Sequence, residues 1–185
     1  MGFTNEMFSQ DLFRYYGTCR ETLFMRLFRP LELQYIYHLR RCNQTGMPRL
    51  LVFYHKFRLR LLSHKTHIQI GTTTKIGGGF YIGHFGRILI NYQAQLGRNV
   101  NVATGVTIGE TARGPRKGVP IIGDDVWIGT NAVVVGKIHI GNNVLIAPLA
   151  FVNFDVPDNS IVMGNPGRII PRENATEGYL QNRVC

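Results

Sequence analysis

The sequence predicts a mainly β protein, a parallel β-helix of four to five coils with an α-helical cap at its N-terminal end. Two observations lead to this fold class. Aliphatic residues recur at every sixth position from residue 70 onward, and glycine follows the aliphatic residue in eight of thirteen cases. Neither the period of about 3.6 residues of a helix nor the period of about 2 of a strand produces this pattern. In a parallel β-helix, each hexapeptide is a short strand plus a tight corner, so the aliphatic residue points inward and the small residue lets the backbone turn.

The repeat falls into three phased blocks, separated by an eight-residue step (82 to 90) and a fourteen-residue step (108 to 122). Counting around three faces, we expect the loop 109–121 to replace one strand of face two and to leave the prism between faces one and two. Face one would then carry Ile70, Ile90, Ile108, Ile128 and Ile146; face two Ile76, Leu96, Val134 and Val152; and face three Ile82, Val102, Ile122 and Ile140.

The first 66 residues differ from the rest in composition. They hold +7 of the net charge of +10 and twelve of the twenty aromatic residues. Pro30 and Pro48 suit the first positions of helices 30–44 and 48–63, where the missing N–H of proline costs nothing. We predict that residues 7–63, within a cap that spans residues 1–66, form three or four short helices on the open end of the prism, since a solenoid otherwise exposes strand edges there.

The β-helix domain is predicted over residues 67–155, and the tail 156–185 is expected to leave the repeat and fold back along the prism. The chain has 44% hydrophobic and 17% charged residues, which excludes disorder, and it lacks an apolar run of about 18 residues that would span a membrane. A charged, aromatic N-terminal stretch in place of a signal core, and three scattered cysteines (Cys19, Cys42 and Cys185), indicate a cytoplasmic protein without disulfides.

His84 is the first candidate for chemistry. It follows Ile82 by two residues, at the corner between faces three and one, beside the eight-residue step. Gln69 is expected at the same corner, one coil earlier. A histidine on a local bulge with a polar neighbour is typical of a general base and its orienting partner. The alternative is an exposed corner histidine without a function.

Four segments resemble the hexapeptide-repeat acetyltransferases, in particular serine acetyltransferases and the O-acetyltransferases of polysaccharide pathways. They are Gly-Phe-Tyr-Ile-Gly-His-Phe-Gly-Arg (79–87), the loop and following coil (106–129), Asp-Val-Pro (155–157) and Gly-Asn-Pro-Gly-Arg (164–168). The resemblance implies a left-handed prism, acetyl-CoA as co-substrate, and a homotrimer with active sites between its chains. It also implies that His84 takes the proton from an acceptor hydroxyl as the hydroxyl oxygen attacks the thioester.

The face count places a column of mostly small residues after the face-one aliphatics, and the resemblance implies that the pantetheine arm of CoA lies along such a column. The predicted cofactor-binding residues are Gly109, Thr111, Gly129, Thr130, Ala147 and Pro148, with Arg168 meeting the CoA phosphates. Arg113, Arg116 and Lys117 in the loop are the predicted acceptor-binding residues. Because this column and His84 are expected at different corners, one site would need two chains, as in the family's trimer.

Three departures from the serine acetyltransferase pattern affect the acceptor. Gly83 stands where that family has an aspartate, Gln69 where it has an acid, and Val119 where it has a second histidine; in addition, 66 residues leave no room for the family's larger helical domain. The sequence therefore favours a sugar hydroxyl of a surface-polysaccharide precursor as acceptor, with the basic, aromatic helices as a peripheral membrane contact. The alternative within this class is a serine O-acetyltransferase that makes O-acetylserine for cysteine biosynthesis.

A third hypothesis is a non-catalytic basic scaffold or nucleic-acid-binding protein. Arginines interleaved with aromatic residues on short helices are more typical of a packed cap with solvated arginine heads, and no nucleic-acid-binding motif is present. No metal is predicted, because a zinc site on this fold needs three convergent histidines and only His84 and His139 lie within the coils.

Overall fold

A computed structural model describes residues 6–184 as a helical cap, a three-sided β-solenoid and a returning tail. Cys185 and the first five residues, on which part of the localisation prediction depends, lie outside the described residues. Four helices form the cap: α1 (Glu6–Tyr16), α2 (Leu23–Leu27), α3 (Leu31–Cys42) and α4 (Arg49–Thr66). Pro30 and Pro48 are the N-caps of α3 and α4 rather than their first residues. None of the described helices is long and apolar enough to cross a membrane.

Short strands build three sheets, which are the three faces of the prism. Face one contains β1 (Ile68–Ile70), β4 (Ile88–Ile90), β7 (Thr107–Gly109), β10 (Val133–Val135) and β13 (Phe151–Val152). Face two contains β2 (Lys75–Ile76), β5 (Gln95–Leu96), β8 (Ile121–Ile122) and β11 (His139–Ile140). Face three contains β3 (Tyr81–Ile82), β6 (Asn101–Val102), β9 (Trp127–Ile128), β12 (Val144–Ile146), β14 (Ser160–Met163) and β15 (Arg168–Pro171).

The predicted face assignment is wrong after the long loop. Leu96 pairs with Ile122, and Ile108 pairs with Val134, so β8 lies on face two and β10 on face one. The loop therefore replaces no strand. It is inserted between consecutive strands β7 and β8, at the corner between faces one and two, and every later rung shifts by one face from its predicted place.

The solenoid has about five turns, which confirms the predicted fold class. It also continues beyond the predicted end of the repeat: Val156 bridges Ile140 on face two, and Val162 pairs with Ile146 on face three. Both valines are buried. The inward aliphatic residues of all coils form one continuous core with the buried residues of the cap.

A column of glycines explains the tight corner between faces two and three. Gly77, Gly97, Gly123 and Gly141 stack one above another, and a Cβ on Gly97 would lie 2.6 Å from the Gly123 carbonyl oxygen. Only glycine allows backbones to approach this closely. The coils can therefore stack with a hydrogen bond from the Gly97 N–H to the Ile122 carbonyl at 2.9 Å.

The cap is joined to the first coil by a buried ion pair. The Arg40 guanidinium donates to both carboxylate oxygens of Asp11 at 2.8 and 2.9 Å, and to the Ile76 and Gly77 carbonyls. Asp11 also accepts from the Phe80 N–H at 2.8 Å. Two helices and the first coil therefore share one polar cluster, in which every charged group has partners.

The tail folds back along face three, from the last coil to the cap. Thr176 donates its hydroxyl to Asn143, the Tyr179 ring packs on Trp127, and the Val184 N–H donates to Asn99. Near the cap, the Arg14 guanidinium donates to the Gln181 carbonyl at 2.8 Å. The tail therefore forms an outer layer over the strands of face three.

Candidate active site

His84 lies on a bulge at the corner that joins face three to face one, which we call the three-one corner (residues 83–87, 103–105, 129–131, 147–149 and 163–164). The step from Ile82 to Ile90 is two residues longer than the six-residue steps that cross this corner in later coils. The extra length pushes His84 and Phe85 outward, and both side chains are exposed. The histidine is therefore available to a ligand.

Contacts from the cap hold this bulge in place. The buried Glu32 carboxylate accepts from the Phe85 N–H at 3.3 Å, and the Gly86 N–H donates to the Thr66 carbonyl at 2.9 Å. Gly86 has a φ of +146°, and a side chain there would overlap the Thr104 hydroxyl. The Tyr15 hydroxyl donates to the Ile82 carbonyl at 2.8 Å, and burial raises the pKa of Tyr15 well above its usual value. Sequence reasoning missed Glu32 and Tyr15, because nothing in the chain order links the cap helices to this corner.

Below His84, the three-one corner presents a column of small and polar residues. Ala103, Gly129 and Ala147 are linked through the strands, since the Ala103 N–H donates to Ile128 and the Gly129 N–H to Ile146. A Cβ on Gly129 would lie 2.6 Å from the Pro148 nitrogen, so only glycine fits. The next positions out are Thr104, Thr130 and Pro148, which follow one another from coil to coil beneath His84.

The predicted cofactor column is therefore partly wrong. Gly129, Thr130, Ala147 and Pro148 do stack, but Gly109 does not join them, because it ends β7 on face one and pairs with Val135. Thr111 is also elsewhere, in the long loop. The column shares its corner with His84, which removes the reason given for a second chain. Ala103 and Thr104 also belong to this column. They were not predicted, because the face count placed Ile128 and Ile146 on face one but Val102 on face three.

Arg168 lies at the far end of the same corner. It pairs with Met163 in the antiparallel β14–β15 ladder, and Met163 follows Ala147 down the column. At about 4.8 Å per coil, the corner is roughly 19 Å long from His84 in coil 1 to Met163 in coil 5. The structure thus places an imidazole at one end of the column and a guanidinium at the other.

The three predicted acceptor-binding residues lie at a different corner. The long loop forms a small hairpin in which Thr111 and Gly118 exchange backbone hydrogen bonds of 3.0 Å. It packs beside coil 4, where the Arg116 carbonyl accepts from the Lys137 N–H at 2.8 Å. Arg113 and Lys117 are exposed. All of them are at the one-two corner, so face one separates them from His84 within a chain.

Gln69 is not at a corner. It is the middle residue of β1, pairs with Leu89, and is exposed on the outer surface of face one. It lines a groove of about 710 Å³ between face one and α4, together with Tyr35 and Arg60. Within residues 6–184, no hydrogen bond joins Gln69 to His84, so its orienting role stays a prediction. Among the same residues, no three His, Cys, Asp or Glu side chains gather to hold a metal ion.

A five-turn prism with a corner histidine above a column of small residues resembles the architecture of hexapeptide-repeat transferases. The family model Bacterial transferase hexapeptide (six repeats) matches residues 120–153. Within that class, the chain closely resembles serine acetyltransferases. The serine acetyltransferase of Bacillus licheniformis is 40% identical over 105 residues, which are 57% of this chain and 49% of that protein.

Solved structures share the fold across cap and prism. A serine acetyltransferase of Neisseria gonorrhoeae in complex with serine has a TM-score of 0.69 and 27% identity, over 89% of this chain and 68% of that one. A serine acetyltransferase in complex with CoA has a TM-score of 0.68 and 24% identity, over 89% of this chain and 67% of that one. The chain spans about half the length of the curated relatives it matches. These relatives are serine acetyltransferases, not sugar O-acetyltransferases, so they favour the alternative acceptor.

Proposed function

We propose that this protein is an acetyl-CoA-dependent O-acetyltransferase with His84 as general base and L-serine as acceptor. The observation that carries the proposal is the three-one corner, where an exposed imidazole stands directly above a column on which an extended thioester arm can lie. Resemblance to a serine acetyltransferase over 105 residues supports it. The proposed compartment is the cytoplasm, supported by three scattered cysteines without a disulfide framework.

In the proposed reaction, the acceptor hydroxyl donates a hydrogen bond to the neutral imidazole of His84. As the hydroxyl oxygen attacks the thioester carbonyl carbon, His84 takes its proton; the carbon–sulfur bond then breaks, and the proton passes to the departing thiolate. The products are the acetyl ester and CoA. General-base assistance of this kind contributes about 10²–10⁴-fold to the rate.

The charges of the site suit an amino-acid acceptor. Glu32 places a carboxylate at the bulge that carries His84, which supplies the negative charge that an ammonium group needs. Arg113, Arg116 and Lys117 supply the positive charge for a carboxylate, but they lie at the one-two corner. Since face one separates the two corners, we propose a homotrimer in which the loop of one chain completes the site of its neighbour.

An acceptor screen with labelled acetyl-CoA tests this function. L-Serine, free sugars and sugar nucleotides are compared at equal concentration, and label on serine alone is the expected result. One variant sharpens the test. Glu32→Gln, which keeps the side chain's size, should raise the KM for serine without raising that for acetyl-CoA. Label on a sugar and none on serine would contradict the proposal.

Transfer to a sugar hydroxyl is the second candidate, favoured by one observation on the cap. Apolar side chains of α2 and α4 are strongly exposed, Leu23, Phe24, Leu27 and Phe28 to about 70% and Leu50 to 79%. With the basic residues around them, they form a surface suited to an anionic membrane, where a lipid-linked sugar precursor would lie. Flotation of the protein with vesicles of anionic phospholipid would support this candidate, whereas no flotation would remove its main support.

A further inference from the structure

A polar cavity lies where the cap, face three and the returning tail meet, away from the groove and the column described above. It has a volume of about 270 Å³, and we call it the cap–tail cavity. Tyr81, Asn101 and Trp127 are successive outward residues of face three, because they pair in register. The short asparagine lies between two large rings, so the sheet leaves a gap over it. The cavity is lined by these three residues, by Arg14 of α1, and by Tyr179 and Gln181 of the tail.

Arg14 brings a buried positive charge to the cap–tail cavity. The residue is only 4% exposed. Its guanidinium donates to the Gln181 carbonyl at 2.8 Å, to the Gly79 carbonyl at 2.9 Å and to the side-chain oxygen of Asn101 at 2.6 Å. It also lies 5.7 Å from the centre of the Tyr81 ring. All of these partners are neutral, and a buried charge is costly unless an opposite charge accompanies it.

The nearest carboxylates already have arginine partners. Asp11 pairs with Arg40, and Asp125 lies 3.9 Å from Arg183. Burial lowers the pKa of Arg14 from its usual value, and the charge of Asp125 is the largest opposing influence. The residues that line the cavity include no acid. Among the described residues, the charge of Arg14 is therefore not matched by a carboxylate of its own.

We propose that the cap–tail cavity binds a small oxyanion, for which inorganic phosphate is the probe. A guanidinium has more N–H donors than Arg14 uses in its contacts with the protein, and its planar shape suits the oxygens of such an anion. The anion supplies the missing negative charge. Because Arg14 belongs to the cap and Gln181 to the tail, the bound anion fastens the tail to the cap. The site does not involve His84 or the column, so it goes beyond the proposed function and does not depend on it.

Trp127 reports on the cavity, since it is one of its walls and the only tryptophan of the chain. Titration with sodium phosphate, at an ionic strength held constant with sodium chloride, should change its fluorescence in a saturable manner. Phosphate should also raise the Tm, because a ligand that binds only the folded protein stabilises it. Equal effects of phosphate and of sodium chloride at the same ionic strength would reveal screening of charges, and would overturn the site.

Two variants test the role of the charge. Arg14→Gln should weaken phosphate binding at least about tenfold, since hydrogen bonds from a charged donor are roughly twice as strong as neutral ones. Arg98→Gln is the matched control, because it removes the same charge from an exposed position at another corner and should respond to phosphate like the parent protein. Gln181→Glu places a carboxylate beside Arg14. It should raise the Tm in phosphate-free buffer and abolish the effect of phosphate, because the protein then supplies the counter-charge itself.

The outcomes decide the proposal even if one variant fails to fold. Gln181 is exposed, so the Gln181→Glu variant keeps the core and carries the test if Arg14→Gln is unstable. A parental response to phosphate in either variant would overturn the anion site. Such a result would leave the proposed acetyl transfer intact, since the acceptor screen measures that function separately.

Discussion

A buried histidine pair in the cap should make the protein sensitive to acid. His38 and His55 share one hydrogen bond, with their Nδ1 atoms 2.8 Å apart, and both side chains are buried. Burial, followed by the charges of His55, Arg58 and Arg29, lowers the pKa of His38 from 6.5 to about 4. Burial and then Arg41 lower the pKa of His55 as well.

The direction of the effect follows from these pKa values. Because the folded protein holds His38 neutral while the unfolded chain protonates it near pH 6.5, the unfolded chain binds more protons between pH 6.5 and about 4. The contribution to stability is complete above pH 6.5 and is lost as the pH falls through this window. At pH 4 the lost free energy of unfolding is about 3 kcal/mol, a large share of the roughly 5–15 kcal/mol of a typical domain.

Urea unfolding at a series of pH values, at fixed protein concentration and ionic strength, measures this loss. The parent protein and His139→Gln, which changes an exposed histidine of the repeat, should lose stability with the same steep dependence on pH. His38→Phe keeps a ring beside Tyr37 and Tyr54. This variant should show a dependence smaller by about 3 kcal/mol between neutral pH and about pH 4. An equally steep dependence in His38→Phe would refute the reasoning.

Three further predictions concern the bulge, the cap and the proposed base. Gly86→Ala should lower kcat about 10²-fold by displacing the bulge, whereas Gly46→Ala, which also has a positive φ but open space around it, should not; steady-state kinetics compare them. Asp11→Ala leaves the buried guanidinium of Arg40 without a counter-charge and should cost about 3–5 kcal/mol in the free energy of unfolding. Gln69→Glu should shift the pH–rate profile if its side chain reaches the imidazole during turnover, and an unchanged profile would place it away from the base.

The period of six was enough to predict the fold class, because few folds need an aliphatic residue followed by a corner at this spacing. It could not fix the faces beyond the loop. A fourteen-residue step is compatible with a strand plus a short loop or with a loop alone, and the aliphatic spacing is the same in both cases. The pairing of Gln95 with Ile121 shows that the fourteen-residue step is a loop without an additional strand.

The sequence predicted the part of the candidate site that is marked by neighbouring residues, and it missed the parts that depend on contacts between residues far apart in the chain. His84 stands out because the corner around it is lengthened within the sequence itself. Glu32 and Tyr15 act on that corner across more than fifty residues of chain, through contacts that depend on how the cap packs. The last coil was missed because it is shortened, with Val156 only sixteen residues after Ile140.

Acetyl transfer by His84→Ala tests the central claim most directly. With labelled acetyl-CoA and L-serine, the account predicts that kcat falls about 10²–10⁴-fold while the affinity for CoA, measured in parallel, stays that of the parent protein. Full turnover by His84→Ala would show that the corner histidine is not the base.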